Sequence, residues 1–301
     1  MEKILTSLQA IAQSQRILQP EQTIELCLMP LRPYWTQKSD LLSTDIVPKV
    51  EQVLLSLLKI NRGDLNVACA TSIGINLYHL YNLDSNPHKY FWNLISNVTD
   101  NTSKANIVAF NYVVSKLGRF NKSSLGKITQ HLLNLKDQTL HFPALIALHS
   151  LFKECGQSLS KSAWPAFKFA KKYVVYNTNS NEAIQIAALR LIEILFQYPD
   201  EVDIKKIVNC IKTVINEPLN TKFVIDLACV IIAKCAIYSI PEKCMMGSSN
   251  ESENEVIAIA DNANDSDFKI PQKSNNEVIP SNQANSNRKP SMKASKSTKK
   301  K

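Results

Sequence analysis

Glycine is scarce in this chain, with six in 301 residues. An all-β fold needs Gly-rich turns between runs of alternating β-branched residues, and neither is present. Cysteine is present without pattern. The seven, at 27, 69, 155, 210, 229, 235 and 244, are odd in number, form no C-x-x-C and share no Cys/His cluster. Most lie inside apolar helical patterns, so free thiols buried as small hydrophobes in a reducing compartment are expected. The sequons at Asn97 and Asn121 would then go unused. The first residues, MEKILTSLQAIAQSQRIL, carry polar side chains at helical spacing in place of an unbroken apolar run, so no signal peptide is expected. There is no P-loop, G-x-G-x-x-G, G-x-S-x-G or H-E-x-x-H. The five histidines (79, 88, 131, 141, 149) share no metal-ligand spacing. His141 and His149, eight apart, stand too far apart for one ion and read as helix-surface residues. Trp35, Trp92 and Trp164 each sit near the start of an apolar helix and read as core packing, not as a platform for bases. No catalytic residue, metal ligand or cofactor site is therefore expected, and the chain is not expected to be an enzyme.

What is present is an apolar helix that returns about every forty residues. In SNEAIQIAALRLIEIL, Ile184, Ala187, Ala188, Leu191 and Ile192 stand at i, i+3, i+4, i+7 and i+8, one stripe of a 3.6-residue helix. With Ile184 as anchor, Val67, Ala105, Ala144 and Val224 occupy equivalent places, separated by 38, 39, 40 and 40 residues. Asp64, Thr102, His141, Asn181 and Thr221 precede the anchors by three residues, and four of them are fair N-caps.

Each such helix has an amphipathic partner upstream. The partner stripes are Val50/Val53/Leu54/Leu57/Leu58, Tyr90/Phe91/Leu94/Ile95/Val98, Leu125/Ile128/Leu132/Leu135, Trp164/Phe167/Ala170/Val174 and Ile204/Ile207/Val208/Ile211/Ile215. The last has Lys205, Lys206, Asn209 and Lys212 on its wet side. Paired helices repeating near forty residues predict an all-α protein, an α-solenoid of about five HEAT- or armadillo-type pairs over residues 45–244. Residues 1–44 hold one or two further helices, broken at Pro20, Pro30 and Pro33, which cap the N-terminal end.

Residues 220–239 are apolar around nearly the whole helix, so burial on more than one side is expected, with self-association through this helix among the ways to achieve it. Membrane insertion is disfavoured. About nine Val, Ile, Leu and Phe contribute roughly −4 to −5 kcal/mol, against roughly +5 to +7 kcal/mol for Asp226 and Lys234 near the centre.

Beyond the helices the composition shifts to Ser, Asn, Lys and Asp, with Phe268 the lone aromatic after Met246. Residues 245–301 are predicted to be disordered. This tail is acidic first, with seven acids and two lysines from Met245 to Asn287, and then basic. Arg288, Lys289, Lys293, Lys296, Lys299, Lys300 and Lys301 stand in its last fourteen residues with no acid. Such a segment binds polyanions: an anionic membrane surface, nucleic acid or an import receptor.

KLGRFNKSSLGKITQHLLNLK (Lys116 to Lys136), FKFAKKYV (Phe167 to Val174) and NEAIQIAALRLIEIL resemble, in order and spacing, the N-terminal region of the HEAT repeat-containing protein five family. The turn at 116–119, with Ser123 and Ser124 behind it, is the most specific match. The resemblance implies a large HEAT scaffold that accompanies the trans-Golgi and endosomal clathrin adaptor, with adaptor-complex components as partners and a cytoplasmic place on endosome or Golgi membranes. Two departures stand out. The chain spans a small fraction of the length of those proteins. The basic residue common after the anchor of HEAT helices is also replaced by Ala68, Asn106, Leu145, Gln185 and Ile225.

A scaffold uses the wall made by the second helix of each pair. Extrapolating the stripe places Asn111, Lys153, Arg190 and Glu193 on its polar side as candidate partner contacts. The alternative is a nucleic-acid-binding or nuclear factor that uses the basic tail.

Overall fold

Apolar stripes at 3.6-residue spacing need neighbours to bury them, and each helix of the five pairs packs on at least two others. The computed structural model describes residues 1–14, 20–36, 46–60, 66–83, 88–117, 122–175 and 181–238. Among these residues the protein is all-α, with no strand. At the N-terminal end lie α1 (Glu2–Ser14), α2 (Pro20–Thr23) and α3 (Met29–Thr36), with a π-helical turn at Ile24–Leu28 between the last two. Ten helices follow in five pairs: α4 (Ile46–Leu57) with α5 (Val67–Asn82), α6 (His88–Asp100) with α7 (Lys104–Leu117), α8 (Lys122–Leu133) with α9 (His141–Cys155), α10 (Ala163–Val174) with α11 (Glu182–Leu195), and α12 (Ile204–Ile215) with α13 (Lys222–Tyr238).

The second helices pack in succession, α5 on α7, α7 on α9, α9 on α11 and α11 on α13, and the first helices do the same from α4 to α12. Contacts at both ends fix the direction of the last two second helices. Thr221 Oγ1 donates to Glu182 at their N-terminal ends (2.9 Å), and Lys234 Nζ to Glu193 toward their C-terminal ends (2.7 Å). Thus α11 and α13 run the same way, with their anchors Ile184 and Val224 at matching places. The core is continuous, and the described partner-stripe residues Val50, Leu54, Phe91, Leu94, Leu125, Ile128, Phe167, Ala170, Ile207 and Ile211 all lie in it.

Two of the expected caps are made as read: Asn181 accepts from Ile184 N (2.9 Å) and Thr221 Oγ1 from Val224 N (3.4 Å). Two are displaced. Helix α5 is capped by Asn66, which accepts from Cys69 N (2.8 Å), and α7 by Ser103, which accepts from Asn106 N (3.2 Å). Asp64 lies outside the described residues. Thr102 instead donates to the Val98 carbonyl (3.0 Å). Helix α9 is entered through a 3-10 turn, Gln138–Leu140, capped by Asp137.

Pro30 and Pro33 do not break the chain, contrary to the sequence expectation. Pro20 opens α2, where its missing N–H costs nothing, but Pro33 lies inside α3. A proline ring clashes with the carbonyl four residues back. The π turn just before Pro30 widens the spiral there, with Met29 N–H reaching Ile24 O. The Leu28 carbonyl takes a hydrogen bond from Asn76 Nδ2 (3.1 Å), and Asn76 Oδ1 accepts from the buried Trp35 indole (2.9 Å). Helices α1 and α3 thereby lie against α4 and α5.

Helix α13 is covered on two sides, by α11 and α12. Its third side carries Phe223 and Val230, 56% and 45% exposed, so among the described residues the expected enclosure is incomplete. No helix among these residues is long and apolar enough to cross a membrane. The tail 245–301 and its basic residues lie outside the described residues.

Candidate partner-binding surface

The second helices bury their anchor stripes and leave one side toward solvent. On α9 that side carries Ile146, His149 and Lys153, and on α11 it carries Ile186, Arg190 and Glu193. Lys153 is exposed and the others are half-buried. Three of the four residues proposed from sequence come together here. Arg190 and Glu193, one turn apart, form an ion pair at 3.0 Å, and Glu193 takes a second cation, Lys234 of α13, at 2.7 Å. Burial alone would raise the Glu193 carboxyl. The hydrogen bond and charge of Lys234, with those of Arg190, outweigh it and hold the group below the usual carboxylate range.

His149 completes the cluster. Burial and the charges of Lys153 and Arg190 push its imidazole down to about 4, and Glu193 offsets them in part. It is therefore neutral at physiological pH, and the cluster has three cations to one carboxylate. Neither His149 nor Lys234 follows from the sequence. They come from helices about forty residues to either side of Arg190, and their meeting depends on how the helices stack. The i,i+3 spacing of Arg190 and Glu193 is the only part visible in one dimension.

Asn111 stands apart on α7. It is half-buried, and its Oδ1 is enclosed without a hydrogen-bond partner. A second polar group gathers around Arg32 of α3, which donates to Ser72 Oγ (3.4 Å). The Arg32 charge also acts on His79, whose imidazole is lowered by burial first and by that charge second. Tyr78 meets Tyr112 edge-on, with ring centroids 6.4 Å apart.

The positions after the anchors carry out a structural task. Asn106 Nδ2 donates to the Leu58 carbonyl (3.1 Å), at the end of α4. Gln185 Nε2 donates to Asn220 Oδ1 (2.9 Å) and to the Val174 carbonyl (3.4 Å). These two buried amides tie α7 and α11 to the ends of neighbouring elements, in the place where a basic residue is absent.

Two histidines differ from the sequence expectation. His141 is buried: its Nε2 donates to the Leu135 carbonyl (2.9 Å), which leaves Nδ1 to accept from the Tyr173 hydroxyl. The entry turn Gln138–Leu140 folds the start of α9 inward and takes His141 with it. His149 is half-buried because α11 lies over it. Of the tryptophans, Trp35 is core and Trp164 is half-buried, but Trp92 is 36% exposed on α6. The stripe that α6 buries is Phe91, Leu94, Ile95 and Val98, and Trp92 falls on the flank of that stripe.

Cys27, Cys69, Cys155, Cys210 and Cys229 are free thiols. Burial pushes Cys69 up to about 11 and Cys155 up to about 12, each with a smaller push from a nearby glutamate, so neither supplies a thiolate. No group of three metal-ligating side chains occurs among these residues. No protein-family model, curated protein or solved structure matches the chain significantly.

Proposed function

We propose that α4–α13 form an α-solenoid of five HEAT- or armadillo-type pairs, with the helices of residues 1–44 as its cap. In this proposal the chain acts as a non-enzymatic scaffold in clathrin-adaptor-linked vesicle trafficking between endosome and trans-Golgi. The observation that carries it is the succession of second helices, α5 to α13, each packed on the next, with the anchors of α11 and α13 in matching places. A stack of this kind presents a continuous wall, and walls of second helices bind helical or extended segments of other proteins. The trafficking setting is supported by the resemblance of residues 116–136, 167–174 and 181–195 to an adaptor-associated family.

The contact surface is the solvent side of α7, α9, α11 and α13: Asn111, Lys153, Arg190 and Glu193, extended by His149 and Lys234. Half-buried Ile146 and Ile186 stand one turn before His149 and Arg190, so an apolar strip lies beside a cationic one. This combination suits a partner segment with one apolar and one acidic face. Adaptor-complex components are the partner class, and the cytoplasmic face of endosome or Golgi membranes is the place.

The test is affinity capture of the tagged full chain from its native cells, beside a variant with Asn111, Lys153 and Arg190 replaced by Ala. Glu193 is kept in the variant because it neutralises Lys234. Loss of adaptor subunits from the variant at an unchanged thermal midpoint supports the surface. Equal recovery discards it. Capture of proteins that disappear on nuclease treatment places the chain in the nucleic-acid-binding class instead.

A further inference from the structure

Three consecutive first helices contain no acidic residue. Helix α8 (KSSLGKITQHLL), α10 (AWPAFKFAKKYV) and α12 (IKKIVNCIKTVI) pack side by side in that order. Helix α10 presents exposed Lys168, Lys171 and Lys172, and α12 presents exposed Lys205, Lys206 and Lys212. Helix α8 adds Lys127, and the 3-10 turn leading into α10 adds Lys161, both exposed. Among the described residues, acids near these helices stand at their ends: Asp203 caps α12 and pairs with Lys206 at 3.0 Å, Asp200 and Glu201 are exposed in the turn before it, Asp137 follows α8 and Glu217 follows α12.

The seam between α10 and α12 is built around Trp164. Lys168 of α10 and Lys206 of α12 both place Nζ over its ring, at 5.6 and 5.5 Å from the centroid, and the ring stacks on Phe167 at 5.1 Å. Two cations on one ring hold the two helices' lysines together and make one basic face of them.

We propose that the α8–α10–α12 face docks on an anionic membrane surface, through the negative headgroups of a phosphatidylserine-type leaflet. Three observations favour a bilayer over a nucleic acid. Every basic side chain on these helices, His131 aside, is lysine; none is arginine, the residue that forks onto phosphates and base edges. Lysine acts as a point charge, which is what a diffuse, laterally mobile layer of headgroups requires. Trp164 at the seam has its ring occupied by Lys168, Lys206 and Phe167, and Lys172 lies over the Phe169 ring at 5.9 Å, so neither ring offers an open platform for a base. Trp92, exposed on α6 beside α8, is by contrast the amphipathic ring type that settles at the headgroup level. Membrane attachment that uses more than one weak signal is the ordinary case, and the basic residues 288–301 supply a second one.

None of these lysines lies on the second-helix wall, so the docking face and the partner surface stand or fall separately. The test uses the full chain in sedimentation with vesicles of pure phosphatidylcholine and of phosphatidylcholine with one fifth phosphatidylserine, at low and near-physiological salt. The variant replaces Lys168, Lys172, Lys205 and Lys212 with Gln and leaves the lysines that pack on Trp164. A charge-matched control replaces Lys49, Lys59, Lys104 and Lys116, which are exposed elsewhere. The expected result is a loss of at least about tenfold in partitioning to the anionic vesicles for the face variant, little change for the control, and equal thermal midpoints. The proposal is overturned if the two variants bind alike, or if the wild type shows no preference for the anionic vesicles. It is also overturned if a single-stranded RNA, in place of vesicles, is the polyanion that only the face variant releases.

Discussion

Gly74 of α5 lies against Ala109 of α7 so closely that a β-carbon at position 74 would sit 3.0 Å from the Ala109 carbonyl oxygen and 3.1 Å from its Cα. The obstruction is backbone, which cannot rotate out of the way as a side chain can. Gly74→Val is therefore expected to destabilise the protein by about 1–3 kcal/mol through overpacking, read as a lower thermal midpoint. Gly126, in α8, provides the contrast, because a β-carbon there would meet nothing within 4 Å. Gly126→Ala should stabilise by about 0.5–1 kcal/mol through helix propensity. If both substitutions moved the midpoint in the same direction, the close approach of α5 and α7 would be wrong.

Ala188 makes the same point further along the stack. It is fully buried on α11, at the fourth position after its anchor. Ala188→Phe should cost about 1–3 kcal/mol. An unchanged thermal midpoint would show that this face of α11 is open.

These contacts indicate what could be read in one dimension. The stripe Ile184, Ala187, Ala188, Leu191, Ile192 and its four counterparts were legible because burial at 3.6-residue spacing is a local property of the chain. So were the caps at Asn181 and Thr221, whose acceptors stand next to the donors they serve. Pro30 is not legible as a helical residue, because a π turn just before it relieves a clash that a regular α-helix would suffer, and Pro33 lies inside α3 beyond that turn. Thr102 and Ser103 are adjacent candidates for one cap, and only the backbone geometry chooses between them. The cluster of His149, Arg190, Glu193 and Lys234 was half legible. One turn of helix supplied Arg190 and Glu193, but the offset between neighbouring helices decided that His149 and Lys234 meet them. The lysines of α12 were visible as a wet side, whereas their union with those of α8 and α10 is a consequence of stacking.

The buried amide pair at the base of α11 should be sensitive to removal of one member. Gln185 donates to Asn220 Oδ1, and Asn220 Nδ2 donates to the Val214 carbonyl at 2.8 Å. Gln185→Leu leaves the Asn220 oxygen enclosed without that donor, at a cost of about 1–3 kcal/mol. The double variant Gln185→Leu with Asn220→Leu still removes the side-chain donors of the Val174 and Val214 carbonyls, although Val214 keeps the Glu217 N–H (3.3 Å). It should therefore recover only part of the loss, and a double-mutant cycle measures the coupling.

Stability should fall with acid through His149. Its folded-state value of about 4 lies below the ordinary 6.5, so the unfolded chain binds a proton that the folded one refuses between those two values. By linkage, stability rises with pH across that window and is lost as pH falls from about 6.5 toward 4, by up to about 3 kcal/mol. Glu193 acts in the same sense lower down. Its depressed carboxyl contributes stability above its unfolded value of 4.5, and that contribution is lost as pH falls through the folded one. Chemical denaturation of the wild type from pH 7.5 to 4.5 should show a steady decline, and His149→Gln, neutral throughout, should flatten it. Parallel curves for the two proteins would mean that α11 does not cover the imidazole.

The basic residues 288–301 give the prediction that separates scaffold from nucleic-acid-binding protein. Seven cations stand there without an acid, preceded by the acidic stretch 251–267, which can compete for them by folding back. The tail carries none of the core residues described for α4–α13, so deleting 288–301 should leave the thermal midpoint where it is. Each basic residue near an anionic membrane contributes about 1 kcal/mol within a Debye length. Deletion should therefore weaken binding to anionic vesicles at low salt, and near-physiological salt should narrow the difference. If the tail instead serves a nucleic acid, the deletion will show in RNA gel shifts at two salt concentrations, and the salt slope will fall with the number of phosphates released. If the two basic elements contact the same membrane independently, combining the deletion with the Lys168, Lys172, Lys205 and Lys212 variant lowers vesicle binding beyond either change alone. Equal binding of vesicles and RNA by the full chain and the truncation would reduce the tail to a solubilising extension.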